Sequence, residues 1–244
     1  MLFAKPGEYE ACGIFSIDHF LLLTISTIGI IIALRNSRKM NREQIKSTIM
    51  CITIMLWIFE AIKIIFNIAI GNIKNPNTYI PLYFCSLILY AGIFSSFGKG
   101  KIKHVGDVFI ATGGIIAGTC FLIFPVTSLT AYPIFHFISL QSFILHSSMV
   151  YLGILVNIRR YVTIKKQDFK YYFLLIVIIS IIAYAFNSIF DSNLMFISKN
   201  FPGTPIEMIY NLSGKLYPAI ITLIQAIIPF YIIYFVIKIL KQKK

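Results

Sequence analysis

Apolar residues fall into seven long runs along the chain, separated by short polar or basic stretches. The runs are Ile17–Leu34, Ser47–Gly71, Tyr79–Phe97, Val105–Phe124, Pro133–Val156, Tyr171–Phe190 and Leu216–Ile239. A helix needs about 20 such residues to cross the hydrocarbon core of a bilayer. Strands are excluded, because lipid offers no partners to backbone N–H and C=O groups and each crossing must satisfy its own. The pattern predicts an all-α fold: a polytopic transmembrane helix bundle of seven spans, forming a single integral membrane domain over residues 1–244. Connections are short except for Asp191–Lys215, where Pro202, Gly203 and Pro205 argue against a continuous helix. That stretch is expected to lie outside, with a dip back into the bundle as its alternative course. Pro218 and Pro229 are expected to bend the last helix.

Composition agrees with this reading. The chain is 58% hydrophobic and 13% charged, with a mean hydropathy of +0.82, whereas soluble domains are about a quarter charged. The net charge of +13 would suit a nucleic-acid binder, but its distribution does not. Basic residues cluster in the first loop (Arg35, Arg38, Lys39, Arg42, Lys46), the third (Lys99, Lys101, Lys103), the fifth (Arg159, Arg160, Lys165, Lys166, Lys170) and the C-terminal tail (Lys238, Lys241, Lys243, Lys244). These account for 17 of the 22 Lys and Arg, which marks that side as cytoplasmic and predicts an N-out/C-in topology. The other side holds Lys5, Lys74, Lys199 and Lys215. Richness in Ile, Lys and Asn points to an AT-rich bacterial genome, hence to a multi-pass protein of the bacterial plasma membrane.

Candidate chemistry lies where the membrane should exclude polar groups, since ionisable side chains inside spans are costly and face a cavity or a partner. Trp57, Glu60 and Lys63 recur at three-residue spacing along one side of the second span. They suit either a buried ion pair or a site. Cys85 sits in the third span, where a thiol is usually a small packing residue. In the fifth span His136, Ser139 and His146 share one side while Gln141 points elsewhere. Asn193 and Lys199 lie in the long sixth connection, and His19 stands at the start of the first span. Taken as regular helices, the spans place His146 roughly 10 Å deeper than Cys85. Cys12, Cys51, Cys85 and Cys120 show no metal-ligand spacing, and neither a cofactor nor a disulfide framework is expected. Gly114 and Gly118 form a small-xxx-small pattern suited to close helix packing.

Five segments carry a family resemblance: FSIDHF (Phe15–Phe20), WIFEAIK (Trp57–Lys63), IPLYFCSL (Ile80–Leu87), HFISLQSFILHS (His136–Ser147) and NLMF (Asn193–Phe196). In this order they resemble the motifs of the YwaF family of bacterial integral membrane proteins. That family is remotely similar to eukaryotic multispan acyltransferases that act on ether phospholipids through a membrane-embedded cysteine. The resemblance implies Cys85 as nucleophile and His146 as its base, with Trp57, Glu60, Lys63, His136, Gln141 and Asn193 in supporting or substrate-binding roles. Its implied partner is a membrane lipid or acyl-lipid substrate. Tyr83 stands where the family commonly has a histidine. Two functions are therefore expected to compete. One is a lipid acyltransferase or acyl hydrolase. The other is a transporter or lipid-binding permease whose Glu, Lys and His residues line a pathway.

Overall fold

The computed structural model describes residues 1–71 and 76–242. Lys74, Lys243 and Lys244, counted above for topology, lie outside the described residues. All regular structure among the described residues is helical: α1 (Ile17–Asn36), α2 (Arg42–Ala69), α3 (Leu87–Phe97), α4 (Gly100–Ala111), α5 (Gly113–Ile123), α6 (Phe137–Ile158), α7 (Phe169–Phe190), α8 (Pro205–Ser213) and α9 (Tyr217–Gln242), with short 3-10 turns between some of them. Local sequence explains several starts. Asn41 and Gln44 exchange side-chain and backbone hydrogen bonds at the head of α2, closing a capping box. α8 begins at Pro205, where a missing N–H costs nothing.

Six segments are long and apolar enough to cross a membrane, with α4 and α5 together making one of them. The third predicted span departs from regularity. Its second half is the short helix α3, but residues 79–86 are non-helical. This arm and α3 still retrace α2 in the opposite direction. The Asn67 side chain donates to the Thr78 carbonyl, the Trp57 indole to the Leu89 carbonyl, and Thr53 packs on Gly92. The fourth predicted span is also not one helix, since it breaks at Thr112 between α4 and α5. At the break the Asn157 side chain donates to the freed Ala111 carbonyl at 2.7 Å.

Loop contacts sort the connections into two ends. At one end Arg159 donates to the Met40 carbonyl, Arg42 and Lys103 both lie over the Tyr161 ring, and His104 meets Asp168. These groups come from the first, third and fifth loops. At the opposite end His136 donates to the Ala4 carbonyl, the Cys12 N–H to the Tyr132 carbonyl, and the Asn193 N–H to Asn77. This alternation matches seven crossings. The core lies along α3 to α6: within an apolar 18-residue stretch of each crossing, 72% is buried in that of α4 and α5 and 67% in that of α6, against 11% in that of α1. α5 packs on α6 through the small-residue pattern, with Gly118 against the His146 carbonyl and Gly114 facing Met149.

Candidate functional site

The arm that replaces the first half of the third span decides where Cys85 sits. Non-helical backbone at membrane depth is tolerated only where protein supplies its hydrogen bonds. Here the supplier is the connection after α7. The Met195 N–H donates to the Leu82 carbonyl at 3.1 Å, and the Tyr83 ring packs on Phe196 at 5.0 Å. That connection dips back into the bundle, leaving Leu194 and Met195 fully buried. It takes a costly conformation to do so, since Met195 and Phe196 both have positive φ. Several polar groups hold it. Asn187 bonds both the N–H and the carbonyl of Leu194, Gln225 donates to the Met195 carbonyl, and the Tyr217 hydroxyl donates to the Phe196 carbonyl. Asn193 accepts from the N–H groups of Ser198 and Lys199. Its side chain is thus engaged within the loop itself.

Cys85 is not on a helical face, contrary to the expectation of a regular span. It lies half-buried near the end of the arm, two residues before α3 begins. Helix starts leave N–H groups without intrahelical partners. The charges of Lys63 and Glu60 both reach the thiol. On α2 these two residues form an ion pair at 2.5 Å, with Glu60 fully buried. Trp57, one turn earlier, pins the start of α3 through its bond to Leu89 and packs edge-on against Tyr90.

The structure separates the histidines by what their ring nitrogens do. In His136, Nδ1 accepts from the Ile138 N–H, capping α6, and Nε2 donates to the Ala4 carbonyl. His19 is used in the same way, between the Phe15 N–H and the Leu122 carbonyl. Both are fully spent on backbone. His146 is not. Its Nδ1 lies 2.6 Å from the Ser142 carbonyl, which can only accept, so Nδ1 carries the proton. Its Nε2 is buried with a free lone pair and no hydrogen-bond partner among the described residues. Phe121 stacks face to face on the ring at 3.6 Å and fixes its plane. The Lys63 charge, which acts on Cys85, acts on His146 as well.

One contact relates the segments that carry Cys85 and His146. Gly114 is flanked by Ile88 of α3 and Met149 of α6. Cys85 and His146 each precede those residues by three positions, Cys85 in the non-helical arm and His146 within α6. α3 and α6 run in the same direction, so both groups lie on the same side of this shared contact. Gln141 points elsewhere, as expected: it is buried on the face it shares with Leu145, Met149 and Leu152. Asn187, Gln225 and Phe121 were not singled out from the sequence. The two amides carried a usable signal, being polar groups inside apolar runs, whereas Phe121 is one of 22 phenylalanines and carried none. All four cysteines are free.

Fold and sequence together define a multispan helical membrane protein with polar groups gathered beside an interrupted crossing. The chain matches the TMEM164 family over residues 14–237 and belongs to it. No curated protein and no solved structure matches it.

Proposed function

We propose that the protein is a lipid acyl-processing enzyme, an acyltransferase or acyl hydrolase, in which Cys85 is the nucleophile and His146 its base. One observation carries this reading: His146 keeps a buried, unprotonated and unpartnered Nε2, while His19 and His136 spend both nitrogens on backbone. A buried lone pair without a donor costs stability, and proton transfer gives it a use. In the reaction, Nε2 takes the thiol proton and the thiolate attacks the ester carbonyl of an acyl lipid. The tetrahedral oxyanion would be met by the free N–H groups at the start of α3 and by the Lys63 ammonium. Its collapse forms a thioester and releases the first alcohol, which leaves with the proton from Nε2. A second hydroxyl, of a lysolipid or of water, then gives its proton to Nε2 and attacks the thioester. The Cys85 thiolate leaves and recovers the proton.

The motif resemblance to the YwaF family, itself remotely similar to those acyltransferases, points to the same residues. With the basic end in the cytoplasm, the site lies in the outer half of a bacterial plasma membrane, and half-buried Cys85 can meet acyl chains sideways from the bilayer. The transport alternative has less support: beyond His146 toward the basic end, buried Met149, Leu152 and Val156 make an apolar stretch. The test is labelling of the detergent-solubilised protein with a lipid-like thiol-reactive probe, with Cys12, Cys51 and Cys120 as internal controls. Cys85 should label selectively, and His146→Ala should slow labelling about 10²–10⁴-fold. Equal rates in both proteins would exclude the pair.

A further inference from the structure

The basic end carries a concave feature that the acyl chemistry does not use. A cleft of about 480 Å³ opens there between the start of α2, α4, the connection from α6 to α7, and the start of α7. Its volume falls in the range of small-molecule sites. Its walls include Arg42, Lys165 and Lys170, with Thr163, Gln167 and Tyr161 among them. Two carboxylates also line it, but both are engaged. Asp107 binds Lys103 at 2.6 Å and accepts from Ser95, while Asp168 meets His104 at 2.8 Å and accepts from the Lys165 N–H. Arg42, Lys165 and Lys170 form no ion pair among the described residues.

Two of these cations rest on aromatic faces instead. The Arg42 guanidinium lies 4.7 Å from the centroid of buried Tyr161, and Lys170 Nζ lies 5.1 Å from that of Tyr171. Lys103 also lies over Tyr161, at 4.5 Å. Aromatic faces hold cations in place without neutralising them. Basic residues that only orient a membrane protein need no such convergence, since topology depends on their number near the span ends.

We infer that this cleft binds a phosphate-bearing anion, with Arg42, Lys165 and Lys170 as its cationic contacts. An arginine fork matches phosphate oxygens in pairs, and lysines add point charge. The phosphate belongs either to a lipid headgroup at the membrane boundary or to a soluble phosphorylated molecule. Thermal unfolding of the full chain in a non-ionic detergent tests this, with phosphatidylglycerol, glycerol 3-phosphate or inorganic phosphate added against chloride at equal ionic strength. At least one phosphate probe should stabilise the wild type beyond chloride. A response to phosphatidylglycerol alone identifies the headgroup, and a response to the soluble probes identifies a free phosphate. The Arg42→Gln/Lys165→Gln variant should bind the effective probe about tenfold or more weakly. A Lys39→Gln/Lys101→Gln variant, which removes equal charge from the same end outside the cleft, should bind it unchanged. Should the first variant fail to fold, Arg42→Gln alone carries the test, at an exposed position. No response beyond chloride, or equal loss in both variants, would overturn the inference.

Discussion

The third and fourth crossings are both interrupted, yet they use the interruption differently. At Thr112 the break repairs itself. The Thr112 hydroxyl returns to the Val108 carbonyl, Asn157 takes the Ala111 carbonyl, and Gly113 packs closely on the Tyr172 ring. In the third crossing, Met195 takes the Leu82 carbonyl and Trp57 the Leu89 carbonyl, but the side chains nearby are not all consumed. Cys85 stays free at a helix start, the Glu60–Lys63 pair lies within electrostatic reach, and His146 keeps an open nitrogen. A broken membrane helix is therefore not a site by itself. What separates the two is polar capacity left over once the backbone is satisfied.

That contrast can be broken by experiment. The largest stability effect is expected from Lys63→Met, which strands the buried Glu60 carboxylate. Loss of one partner from a buried pair costs about 3–5 kcal/mol, and Cys85 labelling should fall as well. Stability within 1 kcal/mol of wild type, on the scale of exposed pairs, would show that the pair is effectively solvated. Next comes Asn157→Leu, which leaves the Ala111 carbonyl at the fourth-crossing break unpaired and should cost about 1–3 kcal/mol. Cys85 labelling should then keep its wild-type rate. A large drop would mean that the two breaks are coupled. The smallest effect belongs to Trp57→Phe, which keeps an aromatic ring, though a smaller one, and removes the donor to Leu89, at about 1 kcal/mol. It should also slow labelling slightly by loosening the start of α3. Equilibrium unfolding in mixed detergent reads all three stability changes.

Much of this architecture was legible in the residues. Apolar run length marks the crossings, because each span carries its own hydrogen bonds and needs no partner to declare it. The third span is where that logic stops. Its first half reads as apolar enough for a helix, yet its backbone partner is Met195, more than a hundred positions away. Single-run hydrophobicity cannot report a bond of that range. The break at Thr112 left a weaker trace in the pair Gly113-Gly114, which also reads as ordinary packing. For the site, Cys85, Glu60, Lys63 and His146 were visible as polar exceptions in apolar runs. What separates His146 from His136 was not visible, because it depends on which nitrogens the backbone occupies.

The bond from His146 to the Ser142 carbonyl has an evolutionary side. In many hydrolases a carboxylate orients the catalytic imidazole, and a single codon change can remove it. Here the orienting group is a peptide carbonyl, which every residue at position 142 supplies. The choice of tautomer is thus nearly immune to point mutation. Drift can reshape the walls around the ring while its proton stays on the same nitrogen.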